Sequence, residues 1–346
     1  MRGFPVGTEV DVDLDLDRLQ PWLVATVGDG PVAVTRYPGG QSNPTYRVDL
    51  PAASYVLRRK PFGVLLPSAH AIEREYRLIA ALHPTGYPVP RPVALCEDLG
   101  VIGAPFYVME RVAGRTIWNG AMPDLSPDER RMHYLAMVDA LAALHAIDPV
   151  AVGLGDYGKP GNYFERQVAR WTRQYRASQT DDLPDVERLI EWLPRTVPEQ
   201  ERVAIVHGDY RIDNLIFAGD GARVAAVLDW ELSTLGDPLA DFTYLLMNWM
   251  TPSDGRSGIA GLSGGDTGIP TMGEVVGRYC AATGREGVPR LEWYFAYNLF
   301  RLTGIVQGIK QRVRDGNAAS AQAARMAERV PALAAAAWGF AQKAGA

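Results

Sequence analysis

Cysteine is scarce: Cys96 and Cys280 are the two in 346 residues, and they form no CxxC pair. That excludes a zinc-thiolate framework and a disulfide scaffold, and two buried, reduced thiols are expected. Histidine is sparse as well, at five, and His70, His83, His133 and His145 stand apart from any HxH or HD cluster. No apolar run approaches the ~20 residues of a membrane span. The opening stretch MRGFPVGTEVDVDLD has no apolar core and reaches acidic residues early, unlike a secretion signal, so a cytoplasmic location is expected. With 35 Lys+Arg against 40 Asp+Glu the net charge is −5. The chain therefore lacks the global positive field of a nucleic-acid or anionic-membrane binder.

What is there is globular: 47% hydrophobic and 22% charged residues, enough for a sizeable core in one large or two medium domains. Leu16, Leu19 and Leu23 give residues 14–26 helical spacing. Segments 31–38, 45–50 and 54–60 alternate like strands, the first two joined by the turn-rich run Pro38 to Pro44. A helix is expected over 68–83, with Ser68 as N-cap and Gly86 just past its end. Segments 89–98 and 105–112 read as further strands.

After Gly114 the period is helical: 126–147, 162–177, 184–193, 238–250, 272–283, 291–313 and one alanine-rich helix over 317–343. A β-rich stretch at 202–230 interrupts it, and the glycine-dense run 255–268 reads as a mobile surface loop and a candidate lid. The expectation is an α+β, bilobal chain, with a small β-rich lobe in 1–110 and a larger, mainly helical lobe in 111–346.

The chemistry concentrates in the β-rich interruption. His207-Gly208-Asp209 is followed by Asn214, and Asp229 comes 15 residues later within Val227-Leu228-Asp229-Trp230-Glu231. Apolar strands on either side hold these polar groups on rigid ends with loops open to a cleft. Phosphoryl transfer needs such a set: one carboxylate for the proton of the attacking hydroxyl, and oxygens from Asn and Asp for Mg²⁺ on the nucleotide phosphates. Hard oxygen donors without Cys/His clusters point away from zinc.

A second clue lies near the N-terminus. Ile72, Glu75, Ile79 and Leu82 fall on one helical stripe at spacings of 3, 4 and 3. Glu75 therefore faces inward and needs a cationic partner. Strand alternation puts Arg58 and Lys60 on one face of their strand and Arg59 on the other, so both Arg58 and Lys60 are candidates for the partner.

The order H-G-D-x-x-x-x-N and then L-D-W-E resembles the aminoglycoside phosphotransferase and choline kinase family, relatives of protein kinases. The match is closer to one branch, the phosphotransferase domains that are fused to acyl-CoA dehydrogenases in animals. Its hallmarks are Gly39 to Tyr46, Tyr55 to Pro61, Leu66 to His70, Arg74-Glu75-Tyr76, Pro88 to Pro92 and Leu235 to Asp241, collinear over about residues 15–315.

The resemblance implies a protein-kinase-like fold and a kinase using ATP and Mg²⁺. Asp209 would be the catalytic base, and Asn214 and Asp229 the Mg²⁺ ligands. His207 would brace the loop, Arg211 would touch a phosphate or pair with Asp213, and Glu231 would support the metal. Arg58 takes the place of the family's phosphate-binding strand residue, with Glu75 as its partner and Lys60 as the alternative. Ser42 and Asn43 would give donors to phosphate oxygens, and Met109, Glu110 and Val112 would form the hinge beside adenine. Trp249, Tyr297 and Arg301 lie on helices that bind the acceptor in the family. Asp237 and Asp241 would brace the metal loop or cap a helix.

The branch implies a hydroxyl on a small-molecule acceptor, a hydroxyacyl thioester such as 4-hydroxyacyl-CoA. The alternatives are an aminoglycoside or amino-alcohol kinase and a nucleotide-binding pseudokinase adaptor. A metal-dependent hydrolase lacks its HxH or HD ligands, and a protein kinase lacks an APE-like segment after Asp229. Oligomeric state has no signal in the sequence.

Overall fold

Alternation in the first lobe resolves into a twisted antiparallel sheet with helices on its flanks. The computed structural model describes residues 13–37, 43–63, 71–253, 255–316 and 321–346. Helix α1 (Leu16–Val27), capped by the Asp15 side chain, precedes strands β1 (Ala33–Arg36), β2 (Thr45–Asp49) and β3 (Ser54–Arg59). Helix α2 (Ile72–Leu82), β4 (Pro92–Cys96), the short α3 (Leu99–Ile102) and β5 (Phe106–Glu110) complete the lobe. The sheet order is β1-β2-β3-β5-β4, so β3 is flanked on both sides. Its register sets Arg58 opposite Tyr107.

The expected start of α2 at Ser68 lies outside the described residues, as do Ser42 and the Gly39–Ser42 part of the turn; the described helix begins at Ile72. Gly86, at φ 79°, closes the 3-10 turn that follows α2. The inward stripe is present: Ile72, Glu75, Ile79 and Leu82 are all buried.

Beyond a connector at 111–113 come β6 (Arg115–Thr116), α4 (Pro127–Ala146), α5 (Tyr163–Ser178) and α6 (Pro184–Arg195). The β-rich interruption appears as β7 (Ala204–Val206), β8 (Leu215–Phe217), β9 (Val224–Val227) and β10 (Thr234–Gly236). Helices α7 (Leu239–Leu246), α8 (Met272–Thr283) and α9 (Leu291–Arg314) follow, and α9 packs against α5 and α7.

Two expectations need correcting. The alanine-rich C-terminal run is two helices, α10 (Ala321–Ala327) and α11 (Val330–Lys343). They break at Glu328-Arg329, and Pro331 opens the second in the first-turn position where its missing N–H costs nothing. The run 255–268 is pinned rather than loose. Ile259 is fully buried, the Gly120 N–H donates to the Arg256 carbonyl at 2.7 Å, and the Ile259 N–H donates to the Asn248 carbonyl at 2.8 Å. Gly268 is there for close approach, since a Cβ would lie 1.9 Å from the Pro127 carbonyl oxygen.

Among the described residues two apolar cores form. One is buried under the sheet, around Leu19, Tyr46, Leu57 and Phe106. The larger runs through the helical lobe and takes in the apolar face of α2, at Ile72, Leu78, Ile79 and Leu82. Cys96 and Cys280 are both free thiols and buried, as composition suggested. Among the described residues no helix is long and apolar enough to cross a membrane.

Candidate active site

Strand β7 is wholly buried and delivers His207 and Gly208 to the region where the two lobes meet, with Arg58 of the sheet bonded to Asp229 close by. Gly208 has φ 85°, and a Cβ there would sit 2.6 Å from the Leu232 carbonyl oxygen, so no other residue fits. The His207 ring accepts from the Asp209 N–H at Nδ1 (3.2 Å) and donates from Nε2 to the Leu228 carbonyl (2.9 Å). It ties the Asp209 loop to the Asp229 loop, a bracing position.

Below that loop sits Asp241, 1% exposed. Its carboxylate accepts from the His207 N–H at 2.5 Å and the Gly208 N–H at 2.8 Å, with His145 Nε2 3.5 Å away. Burial alone would push this carboxyl up, but the His145 contact, the His145 and His207 rings and the Gly208 amide hold it below the usual carboxylate range. Asp237, the other acid of the Leu235 to Asp241 run, instead caps α7 through the Leu239 N–H (2.8 Å), and burial pushes its carboxyl up to about 6.

The β8–β9 hairpin brings the remaining two oxygens together. Leu215 pairs with Val227, which sets Asn214 beside Leu228, and the Leu228 N–H donates to the Asn214 carbonyl at 2.9 Å. Asn214 Nδ2 donates to the Asp209 carbonyl at 2.9 Å and lies 3.4 Å from Asp209 Oδ2. Asp229 follows Leu228 with φ 65°, a left-handed conformation that turns the chain into the 3-10 turn Trp230–Leu232.

From the other lobe, Arg58 Nη2 donates to Asp229 Oδ1 at 2.9 Å and lies 3.7 Å from Glu231 Oε2. Arg58 Nε stands 3.0 Å from Glu75 Oε2, an ion pair by distance whose N–H is not aligned as a hydrogen bond. Glu75 takes its hydrogen bonds from Asn43 Nδ2 (3.0 Å) and the Tyr107 hydroxyl (3.1 Å). Burial pushes the Glu75 carboxyl up to about 7 even with Arg58 beside it, while Glu75, Asp229 and Glu231 more than offset the burial that disfavours the Arg58 charge.

Of the two cations left open by strand alternation, Arg58 meets Glu75. Lys60 lies just past the end of β3 and pairs with Glu73 on the outer side of α2. Arg59 points to the opposite face, where it bonds the Tyr46 hydroxyl (3.1 Å) and Asp13.

Other expected residues fall elsewhere. Trp249 is core: its ring meets Tyr134 edge-on, and its Nε1 donates to the Pro270 carbonyl at 2.8 Å. Tyr297, 2% exposed, is stacked against Trp293 and edge-on to Phe164. Aromatics at helical spacing on α9 are there for packing. Arg211 is committed to Asp213, with Nε 3.0 Å from Oδ1. Arg301 donates to the Gly208 carbonyl at 2.7 Å. Asn43, expected to point at phosphate, gives its amide nitrogen to Glu75 instead.

Met109 and Glu110 end β5, the Glu110 N–H already donating to the Arg91 carbonyl (2.9 Å), and Val112 lies in the connector beyond the last sheet pair. Tyr107 and Tyr244 were not singled out by the sequence. Tyr107 was recoverable from its register opposite Arg58, whereas Tyr244 carries no signal beyond helical spacing.

The donor set can be tested against a divalent cation. Asn214 spends its amide nitrogen on Asp209, which leaves Oδ1, and Asp229 spends Oδ1 on Arg58, which leaves Oδ2. Two hard oxygens on adjoining loops suit Mg²⁺, which keeps several waters and takes one or two protein oxygens plus substrate phosphates. Among the described residues no three His, Cys, Asp or Glu side chains converge as a cage for another metal.

A five-stranded lobe over a helical lobe, with an HGD loop, an Asn and a second Asp meeting at their junction, is the build of a phosphotransferase. The chain belongs to the phosphotransferase enzyme family, whose model matches residues 33–294. It is 44% identical over 345 residues to acyl-CoA dehydrogenase family member 10 of Mus musculus, covering 99% of this chain and 32% of the relative. It is 40% identical over 291 residues to family member 11 of Homo sapiens, covering 84% and 37%. The chain thus spans about a third of the length of the curated relatives it matches.

Among solved structures it superposes with a TM-score of 0.88 and 45% identity on a Ralstonia eutropha JMP134 protein, over 95% of this chain and 99% of that one. That protein's own aminoglycoside phosphotransferase assignment is provisional. Spectinomycin phosphotransferase APH(9)-Ia, in complex with ADP and spectinomycin, superposes at 0.62 with 13% identity over 96% and 100% of the two chains, which shows the shared kinase-like fold.

Proposed function

We propose that the chain is an ATP- and Mg²⁺-dependent small-molecule kinase, with residues 1–110 as its nucleotide lobe and 111–346 as its catalytic lobe, acting in the cytoplasm. One observation carries the reading: Asp209, Asn214 and Asp229 are tied into one cluster at the lobe junction, with Arg58 reaching it from the sheet. Asp209 accepts the proton of the acceptor hydroxyl as its oxygen bonds to the γ-phosphorus and the β–γ bridge bond breaks, releasing ADP. Asn214 and Asp229 would hold Mg²⁺, which neutralises charge on the phosphates. Arg58, kept in place by Glu75, offers its guanidinium to phosphate oxygens. The backbone around Val112 is the hinge edge for adenine. His207 holds the loop in register, and Glu231 adds negative charge beside the metal position.

The acceptor we infer is a hydroxyacyl thioester such as 4-hydroxyacyl-CoA. The support is that relatives at 40–44% identity carry this region within proteins named for acyl-CoA dehydrogenation. Phosphorylating the hydroxyl would turn a poor leaving group into a good one. An aminoglycoside or amino-alcohol acceptor is the second reading, favoured by the Ralstonia likeness.

The test is Mg·ATP-dependent ADP release from purified protein with 4- and 3-hydroxyacyl-CoAs, free hydroxy acids, choline, homoserine and kanamycin, and with Asp209→Asn as control. ADP release with a hydroxyacyl-CoA, lost in the variant by roughly 10²–10⁴-fold, supports reaction and acceptor together. Release with kanamycin or an amino alcohol alone overturns the acceptor. Nucleotide binding without turnover on any of them favours a pseudokinase adaptor.

A further inference from the structure

Gly208 is held at both ends by side chains of opposite charge, Asp241 buried and Arg301 partly buried. Its N–H donates to Asp241 Oδ1 on α7 at 2.8 Å, and its carbonyl accepts from Arg301 Nη2 on α9 at 2.7 Å. That carbonyl belongs to the same planar peptide group as the Asp209 N–H. On the far side of the plane the Asp209 N–H donates to His207 Nδ1 at 3.2 Å. The peptide before Asp209 is therefore fixed at its oxygen and at its nitrogen. Since Gly208 has no side chain of its own and takes a left-handed φ of 85°, this plane has little else to hold it against rotation.

The guanidinium is itself held. It lies over the Tyr244 ring, 4.9 Å from the centroid, and 5.7 Å from that of Trp171. Tyr244 is on α7, one turn after Asp241, so a single helix carries the anion for the Gly208 N–H and a platform for the cation on its carbonyl. The Tyr244 phenol lies near enough to Asp209 for that carboxylate to help raise its pKa, behind the larger effect of burial. The resemblance places Arg301 on an acceptor-binding helix, yet its guanidinium is turned onto the loop backbone.

We propose that Arg301 is a positioning residue of the phosphoryl-transfer site. It clamps the Gly208–Asp209 peptide in the orientation that aims the Asp209 carboxylate at the acceptor hydroxyl, and it does so without touching nucleotide or acceptor. The proposal rests on the reading of Asp209 as base. A clamp acting only through Asp209 has a distinct signature: its loss lowers kcat, leaves both binding constants alone, and costs nothing further once Asp209 has been disabled.

The experiment compares wild type, Arg301→Gln, Arg301→Lys, Asp209→Asn and the Arg301→Gln/Asp209→Asn double variant. Turnover is read as ADP release from Mg·ATP, with 4-hydroxypentanoyl-CoA as acceptor and with water alone. Nucleotide affinity is read with a fluorescent methylanthraniloyl-ADP, and folding by thermal melting. Arg301→Gln is expected to lose roughly 10–100-fold in kcat, with unchanged acceptor KM and nucleotide Kd. Arg301→Lys should regain most of that loss, and the double variant should be no slower than Asp209→Asn.

A raised acceptor KM at unchanged kcat would make Arg301 an acceptor-binding residue and overturn the clamp. So would full activity in Arg301→Gln, or a loss that multiplies fully onto Asp209→Asn. Wild-type turnover in Asp209→Asn is the separate result that removes the base reading. If Arg301→Gln does not fold, Arg301→Lys decides: the small residual loss expected of it, falling on kcat alone, supports the clamp, and a raised acceptor KM or nucleotide Kd, or no loss at all, overturns it.

Discussion

Arg58 of the sheet donates to Asp229 of the helical lobe at 2.9 Å, across 171 positions of sequence. The same guanidinium has Glu75 3.0 Å from its Nε and Glu231 3.7 Å from its Nη2, so one fork faces three carboxylates. A lysine has no such fork, and the arginine at this position is what allows one side chain to span them. The cation proposed for phosphate, its buried partner and a metal-ligand candidate are thereby one charge network.

The first prediction concerns that anchor. Arg58→Met leaves the Glu75 carboxylate buried without its cation, and breaking a buried pair this way costs about 3–5 kcal/mol. The sign with pH follows from the direction of the Glu75 shift, up from 4.5 to about 7. A carboxyl that holds its proton more tightly when folded contributes stability that is present below its unfolded pKa and lost as pH rises through the folded one. Removing Arg58 raises that carboxyl further. Urea denaturation should therefore show a small deficit for Arg58→Met near pH 5 that grows as pH rises past about 7. A deficit independent of pH would mean that Glu75 does not carry it.

The second concerns the metal position. Asp229→Ala removes a proposed Mg²⁺ oxygen while leaving the Arg58–Glu75 pair in place. Nucleotide affinity of the wild type should tighten as Mg²⁺ is titrated in, whereas the variant should bind equally with Mg²⁺ or with EDTA. Turnover should fall by roughly 10²-fold or more. Identical Mg²⁺ titration curves for the two proteins would sink the assignment.

The third concerns the floor of the loop. Asp241 accepts from two adjacent backbone N–H groups, and an amide in its place offers one oxygen and turns an NH₂ on the other donor. Asp241→Asn should cost about 1–3 kcal/mol for the buried donor left unpaired, with turnover falling alongside. Because the Asp241 carboxyl is held below its ordinary value, its contribution is present above the unfolded pKa and lost as pH falls through the folded one. Urea midpoints of the wild type should drop on the acid side more steeply than those of the variant. Parallel acid limbs would count against Asp241 as their source.

Much of this was legible in the sequence because strong periodicity leaves few choices. Glu75 on an apolar stripe could only face inward, and the HGD, Asn and Asp run could only sit on strand ends. Alternation did not separate Arg58 from Lys60, because β3 ends at Arg59 and the pleat no longer governs the next side chain. The break between α10 and α11 was hidden by alanine, which is as good a helix former before the break as after it. Glycine in 255–268 read as freedom, yet at Gly258 and Gly268 it allows backbone to approach backbone. Trp249 and Tyr297 sit where a pocket wall or a core would serve equally well by pattern, and only packing decides.

Helix α2 belongs to the sheet by chain order but to the helical lobe by its core: Ile72, Leu78, Ile79 and Leu82 are sunk in the larger apolar cluster. Arg74 fastens it further, its Nη2 donating to the Tyr157 carbonyl at 2.7 Å. Any motion that opens the cleft has to spare this greased bearing, or expose it to water. Glu75, which faces Arg58, is thereby carried on a helix that shares one apolar cluster with Ile205 and Val206 of β7, the strand that leads into the Asp209 loop.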